Sequence, residues 1–145
     1  MAEMSWAYVA GFIDGEGSFS IATYKYCFMP RLSISQGQVK VLKEIQSFFA
    51  QRGIRSSLYR DLHKPRGNVW YNLRVQDRSS LANICSHLSG LLRVKRDQLA
   101  VMVRLLSLKS GHITRTDKIQ QQLRRAESDQ CRKEIMELNR RREVA

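Results

Sequence analysis

The chain has 145 residues, of which 43% are hydrophobic and 26% are charged. This is the size and composition of one globular domain rather than of a disordered chain. No segment reaches the roughly 20 consecutive apolar residues of a membrane-spanning helix, and the apolar segment after Glu3 lacks the basic flank of a secretory signal. Three widely spaced cysteines (Cys27, Cys85 and Cys131) form neither a zinc box nor a disulfide framework. We therefore expect an intracellular protein of a reducing compartment, in a prokaryotic cytoplasm or nucleoid or in an organelle, with no membrane partner.

The charge is strongly basic and unevenly distributed. Lys and Arg number 25 against 13 Asp and Glu, a formal net charge of +12. Residues 1–24 hold three acids and no basic side chain, whereas residues 25–78 hold 11 basic and 3 acidic side chains and residues 79–145 hold 14 and 7. Such an excess favours a polyanionic partner, most often nucleic acid. Charge alone leaves open a ribosomal-type or merely soluble basic protein.

Hydrophobic periodicity divides the chain into helices and strands. The predicted helices cover residues 6–14, capped by Ser5, then 39–51, 79–88, 95–108 and 116–142. The predicted strands cover residues 18–26, 31–36, 56–62 and 69–76, with a turn at 64–68. In the last helix the apolar stripe is thin and consists of Ile119, Leu123, Ile135 and Leu138. The order α-ββ-α-ββ-α with further C-terminal helices predicts an α+β domain whose helices pack on one face of an antiparallel sheet.

The other face of this sheet carries large polar and aromatic side chains. Alternation places on it Ser20, Tyr24, Tyr26, Arg31, Ser33, Ser35, Tyr59, Trp70, Asn72, Arg74 and Gln76. A two-stranded ribbon fits the major groove of DNA, and Arg, Asn and Gln are side chains that read base edges. We expect this face to bind nucleic acid; the alternative is a face covered by the C-terminal helices.

The first helix carries small residues at four-residue spacing and ends in acids and glycines. Ala7, Gly11 and Gly15 leave one helix face bare, so that another backbone can approach closely. Asp14 and Glu16 follow at the helix end, where a carboxylate can reach a hard cation. The alternative is a core helix that ends in a Gly-rich turn whose acids face water.

Residues 9–17, Val-Ala-Gly-Phe-Ile-Asp-Gly-Glu-Gly, resemble the signature of the LAGLIDADG homing endonucleases, and the element order is similar over residues 5–110. The resemblance implies a single domain over residues 1–145 with an antiparallel saddle-shaped DNA-binding sheet, and a C-terminal helical extension over residues 111–145. Members with one signature are homodimers in which the signature helices pack together, and this chain has one copy. Ala7, Gly11 and Gly15 would then form the dimer interface.

The resemblance also implies a catalytic set. Glu16 corresponds to the metal-binding carboxylate, a Glu where the consensus has Asp, and Gly15 to the residue whose carbonyl faces the metal. Gln36 and Lys40 resemble the polar residues that hold the solvent network, and Lys95 resembles the active-site lysine at a helix start. Asp14 is expected to be structural. The implied cofactor is Mg2+, with Mn2+ as a substitute.

The function predicted from these features is sequence-specific cleavage of both strands of a long pseudo-palindromic DNA site by a homodimer, leaving staggered ends. Proteins of the family that this chain resembles are encoded within introns or inteins, and the resemblance implies that this free-standing chain of 145 residues is intron-encoded. Two alternatives keep the basic sheet without the chemistry: an RNA maturase that assists splicing of intron RNA, and a transcriptional regulator built on the same fold.

Overall fold

The structure, a computed structural model, describes residues 3–24, 27–61, 69–108 and 118–141. In chain order the described elements are α1 (Trp6–Glu16), β1 (Gly17–Tyr24), β2 (Cys27–Gln36), α2 (Val39–Ala50), β3 (Ser57–Asp61), β4 (Trp70–Val75), α3 (Arg78–Leu88), α4 (Arg96–Ser107) and α5 (Lys118–Arg141). The predicted turn at 64–68, Tyr26 and the predicted helix start at Thr116 lie outside the described residues.

The four strands form one antiparallel sheet in the order β1-β2-β4-β3. Side chains that alternate along the strands divide into two sets. The inward set, Phe19, Ile21, Leu32, Ile34, Leu73 and Val75, is buried beneath the helices. The other set is partly or fully exposed. The predicted α+β architecture with helices on one face is therefore confirmed.

Helix α1 extends two residues further than its sequence predicts. Ser5 caps its start by accepting a hydrogen bond from the Tyr8 N–H (3.2 Å). The helix passes through Gly15 and ends before Gly17, whose N–H donates to the Ile13 carbonyl. A Cβ atom at Gly17 would lie 2.8 Å from that carbonyl oxygen, so the chain turns from helix to strand where only glycine fits.

Strand β2 begins at Cys27, four residues before the predicted start. The added segment includes Pro30, which lacks the N–H that a central strand needs. Before Leu32, however, β2 pairs only with β1, since β4 ends opposite Leu32 at Val75. Pro30 therefore lies where one side of the strand is unpaired, and it is tolerated there.

Helix α5 packs against α4 and the edge of β1 through its C-terminal half. Its buried residues are Ser128, Cys131 and Ile135, and Leu138 is partly buried. Arg104 of α4 pairs with Glu134 at 2.7 Å, and Asn139 Nδ2 donates to the Phe19 carbonyl of β1 at 3.0 Å. The predicted stripe is wrong in its first half, since Ile119 and Leu123 are 72% and 59% exposed. None of the described helices is long and apolar enough to cross a membrane.

Candidate active site and nucleic-acid interface

The signature acid Glu16 lies where α1 becomes β1. Glu16 and Gly15 are both exposed. The β1–β2 ladder ends with Gly17 opposite Ile34, so Glu16 and Gln36 lie just beyond this pair at the same end of the two strands. The Oε1 atom of Gln36 accepts from the Gly37 N–H at 2.7 Å. The fold therefore brings the predicted metal ligand and one predicted polar partner to one end of the sheet.

Lys95 reaches the same junction from the start of α4. Its side chain is only 2% exposed. Its Nζ donates to the Ile13 carbonyl at 2.7 Å, to the Asp14 carbonyl at 3.2 Å and, at shorter distance, to the Gly17 carbonyl. The ammonium group has three protons, so these three carbonyls satisfy all of them. Lys95 thus supports the backbone on either side of Gly15 and Glu16.

The carboxylate of Asp14 makes the complementary contact. It accepts from three successive backbone N–H groups just before α4, those of Arg93 (2.9 Å), Val94 (3.1 Å) and Lys95 (3.1 Å). Such a run of N–H groups is a binding site for a negative charge. The expectation that Asp14 is structural agrees with this geometry.

Lys40 lies in the first turn of α2, four residues after Gln36. It is exposed and lines a groove of about 680 Å³ with Glu3, Lys43 and Glu44. The structure brings Glu16, Gln36 and Lys95 to one junction, and the role of Lys40 beside them stays a prediction.

Glu16 is the residue of this junction whose side chain could bind a metal ion. Among the described residues no group of three or more His, Cys, Asp and Glu side chains could hold a metal ion. The exposed carboxylate of Glu16 enters no hydrogen bond or ion pair in the described part of the chain, so its oxygens are available. Mg2+ prefers oxygen ligands and is commonly bound by one or two carboxylates, with water and phosphate completing its shell. Glu16 fits such an ion, as its single carboxylate or as one of two.

The bare face of α1 is exposed as its spacing predicts. Ala7, Gly11 and Gly15 face solvent, while Val9 and Ile13 on the other side are buried. A Cβ atom added at Gly11 or Gly15 would have no atom within 4 Å. A second backbone could approach this face at the distance that glycine allows.

The outer face of the sheet is polar, and no described helix covers it. The predicted residues that are described, Ser20, Tyr24, Arg31, Ser33, Ser35, Tyr59, Trp70, Asn72, Arg74 and Gln76, are all partly or fully exposed. Ser35 Oγ donates to Asn72 Oδ1 across the β2–β4 ladder. The Arg74 guanidinium lies 5.4 Å from the Tyr59 ring centroid. The Nε atoms of Arg31 and Arg74 are buried without a hydrogen-bond partner among the described residues, so both side chains lie down against the sheet.

Several further residues of this face are missing from the sequence prediction. Ser18 pairs with Ser33, and Ser57 pairs with Arg74, so their side chains share the outer face. Met29 lies on the same face because β2 starts early, and it is 39% exposed. Alternation continued to the start of β1 and of β3 identifies the two serines, and alternation continued through Pro30 identifies Met29.

No histidine emerges as a general base in the described part of the chain. His87 stacks on Trp6 with ring centroids 4.4 Å apart, and its Nδ1 lies 2.9 Å from the Asn83 carbonyl. Trp6 is the first residue of α1 and Glu16 the last, so His87 lies at the opposite end of α1 from Glu16. His63 and His112 lie outside the described residues.

The sequence profile of the LAGLIDADG endonucleases matches residues 9–100 of the chain. The chain belongs to the LAGLIDADG endonuclease family. The profile begins within α1 at the signature and extends into α4, so it includes Glu16, Gln36 and Lys95. A comparison with curated protein sequences returned no match.

Solved homing endonucleases share the fold. I-CvuI, in complex with the I-CreI target in the presence of Mg with the DNA not cleaved, has a TM-score of 0.68 at 18% identity, over 92% of this chain and 80% of its own. The archaeal intron-encoded I-Vdi141I, complexed with DNA, has a TM-score of 0.60 at 17% identity, over 87% and 95%. I-GzeII, also in complex with a DNA target, has a TM-score of 0.69 at 19% identity, over 89% of this chain and 44% of its own.

Proposed function

We propose that this LAGLIDADG protein is a homodimeric, divalent-metal-dependent endonuclease that cuts both strands of a long pseudo-palindromic DNA site and leaves staggered ends. The observation that carries the proposal is the position of Glu16. Its exposed carboxylate lies at the end of a helix face without side chains and at the edge of a polar, aromatic sheet face. The proposed metal ligand, the proposed dimer surface and the proposed DNA-binding surface therefore meet where α1 becomes β1.

The bare face of α1 supports the proposed dimer. A two-fold axis along the Ala7, Gly11 and Gly15 face would bring two α1 helices together, and with them two Glu16 carboxylates. Each carboxylate would serve one DNA strand. Because both junctions then lie near the axis, both cuts fall near the centre of the site, where a stagger of a few base pairs results.

Hydrolysis of a phosphodiester needs a placed water, neutralised charge on the phosphorus oxygens and help for the leaving 3′ oxygen. A bound Mg2+ would supply the charge neutralisation and lower the pKa of a water ligand. The residues that would hold it are Glu16, through its carboxylate, and Gly15, through its carbonyl. Gln36 keeps its amide nitrogen for water or phosphate, because its Oε1 is engaged by Gly37.

The outer face of the sheet would read the bases. Arg74, Asn72 and Gln76 offer the donors and acceptors that discriminate base pairs in the major groove. The basic side chains around them would bind phosphates and make the affinity depend on salt. Two such sheets related by a two-fold axis span a target of about two turns of DNA, which is why we propose a pseudo-palindromic site.

By family resemblance we also propose that the protein is intron-encoded and that it acts inside the cell on the allele without the intron. Candidate sites are then intron insertion sequences. A plasmid library of such sequences supplies the substrate for the test that follows.

The test is cleavage by wild-type protein and by Glu16→Gln in Mg2+ and in Ca2+. We expect wild-type protein to cut both strands in Mg2+ and only to bind in Ca2+, and Glu16→Gln to bind with similar affinity and not to cut. Glu44→Gln is the matched control, because Glu44 is an exposed acid on α2 away from the junction. Cutting by Glu16→Gln at the wild-type rate would refute the metal assignment. Tight binding by wild-type protein without cutting in either metal would favour the maturase alternative, and intron RNA would then be the ligand to test.

A further inference from the structure

The junction that carries Glu16 is fixed by hydrogen bonds exchanged between the end of α1 and the residues just before α4. Asp14, in the last turn of α1, accepts from the N–H groups of Arg93, Val94 and Lys95. Lys95 in return donates to the Ile13, Asp14 and Gly17 carbonyls at the end of α1. A charged side chain from each segment thus binds backbone groups of the other.

The negative charge of Asp14 and the positive charge of Lys95 each suit the helix end that they approach. A helix N-terminus presents unpaired N–H groups and favours negative charge, and a C-terminus presents unpaired carbonyls and favours positive charge. The side chain of Lys95, although it is the N-cap residue of α4, makes no cap hydrogen bond there. Asp14 places its negative charge beside this helix end by accepting from the N–H groups of Lys95 and of the two residues before it.

Gly15 and Glu16 lie between two backbone carbonyls that both accept hydrogen bonds from the ammonium group of Lys95. The carbonyl of Asp14 before them and the carbonyl of Gly17 after them both accept from Lys95 Nζ. The two ends of this short segment are therefore fixed relative to each other, although both residues are exposed. The direction of the Glu16 carboxylate and of the Gly15 carbonyl depends on this clamp.

We infer that Asp14 and Lys95 are positioning residues that aim the metal-binding groups of Glu16 and Gly15, and that Lys95 does so through the backbone carbonyls of Asp14 and Gly17. The inference rests on the proposed metal-dependent endonuclease. Its physical basis is that the ammonium is buried and its three protons are already engaged, so that contact with a reacting group would require breaking the clamp.

The experiment compares Lys95→Met and Asp14→Asn in the full-length protein. Cleavage rates are measured across a Mg2+ titration, so that the half-saturating Mg2+ concentration and the rate at saturating Mg2+ are obtained separately. Backbone amide exchange of Gly17, whose N–H donates to the Ile13 carbonyl beside Lys95, is measured without DNA or metal. The matched controls are Lys133→Met and Asp129→Asn, which break an exposed ion pair of 3.1 Å on α5.

We expect both junction variants to raise the half-saturating Mg2+ concentration by roughly 10–100-fold, the usual effect of removing a group that orients a metal ligand. The rate at saturating Mg2+ should fall much less, and the Gly17 amide should exchange faster. Both controls should match wild-type protein. If Lys95→Met fails to fold, Asp14→Asn decides the question by the same measurements, because it keeps Lys95 intact.

The opposite pattern would overturn the inference. A lower rate at saturating Mg2+, with unchanged half-saturation and unchanged Gly17 exchange, would mean that Lys95 acts on the reacting groups. A wild-type protein that cuts no DNA would refute the proposed function instead. In that case the Gly17 exchange rates still decide whether Asp14 and Lys95 hold the junction.

Discussion

Ser35 on β2 and Asn72 on β4 are directly opposite each other, and the Ser35 hydroxyl donates a hydrogen bond to Asn72 Oδ1. An asparagine that reads a base must present a carboxamide in a fixed orientation, since its oxygen accepts and its nitrogen donates. The hydroxyl of Ser35 fixes that orientation and leaves Nδ2 directed to other partners. If Asn72 contacts a base, as proposed, its carboxamide already has a fixed orientation before DNA binds.

We predict that Ser35→Ala lowers sequence discrimination at the base pair contacted by Asn72 while leaving nonspecific affinity unchanged. The loss should be a large part of the about 1–3 kcal/mol that a good amide–base contact supplies. The measurement is binding in Ca2+ to the target and to each single base-pair variant, by wild-type protein, Ser35→Ala, Asn72→Ala and the double variant. Ser86→Ala, on α3 away from the sheet, is the control. If Asn72→Ala relaxes the base preference and Ser35→Ala does not, Ser35 does not orient the Asn72 carboxamide.

The features predicted from sequence are those that depend on neighbouring residues. The period-two alternation of residues 69–76 identifies the buried Leu73 and Val75 and the outward Asn72 and Arg74, because a one-sided strand imposes that pattern locally. The bare α1 face follows in the same way from the four-residue spacing of Gly11 and Gly15.

The remaining features depend on contacts between residues distant in sequence. Lys95 lies in a run of basic residues, and only the folded chain shows that its Nζ binds the Ile13 carbonyl, 82 positions away. Ile119 has the helical spacing of a core residue, yet α5 passes the body of the domain only from about Ser128 onward. Periodicity cannot indicate where along a helix packing begins.

We expect the carboxylate of Asp77 to make the free energy of unfolding depend on pH. Its Oδ2 caps α3 by accepting from the Ser80 N–H (3.0 Å) and the Ser79 hydroxyl (3.1 Å). Burial alone would raise the pKa of Asp77, but these hydrogen bonds outweigh it and lower the pKa below the unfolded value of 3.8. The carboxylate therefore stabilises the fold at pH values above 3.8, and this contribution is lost as pH falls through the lower folded pKa.

We expect Asp77→Ala to reduce the free energy of unfolding by about 0.5–2 kcal/mol at pH 7, with a smaller difference from wild-type protein below pH 3.8. Urea unfolding between pH 3 and 7 measures both. Asp77→Asn keeps an oxygen for the cap, so it should retain most of the stability at pH 7 and lack the pH dependence of the wild-type residue. A constant difference between wild-type protein and Asp77→Ala across this range would contradict the assignment.

The three cysteines should differ in reactivity. Cys27 is exposed at the start of β2, whereas Cys85 and Cys131 are buried. Burial raises the pKa of the Cys85 thiol to about 12, so almost none of it is thiolate, the reactive form, at pH 8. One equivalent of N-ethylmaleimide should react rapidly with native protein, and Cys27→Ser should abolish that reaction. Denatured chain should react at all three sites, and labelling of native Cys85 as fast as Cys27 would show that α3 is not packed as described.

Substitutions at the glycines in α1 and directly after it should affect the stability of one chain and the assembly of two chains differently. Within one chain a Cβ atom at Gly11 or Gly15 meets no atom within 4 Å, whereas at Gly17 it meets the Ile13 carbonyl oxygen at 2.8 Å. Alanine in a helix interior is more stable than glycine by roughly 0.5–1 kcal/mol. Gly11→Ala should therefore stabilise the isolated chain, and Gly17→Ala should destabilise it.

If α1 packs closely against a second α1, Gly11→Ala has the opposite effect on assembly. The added methyl group would hold the two backbones apart, so the dimer should dissociate at concentrations at which wild-type protein is dimeric, and DNA cleavage should fall with it. Sedimentation velocity across a concentration series measures assembly, and thermal unfolding of the dissociated variant measures the chain. Ala50→Ser, at the end of α2, is a control for a small change on an exposed helix face. A Gly11→Ala protein that is more stable and assembles like wild-type protein would place the pairing surface elsewhere.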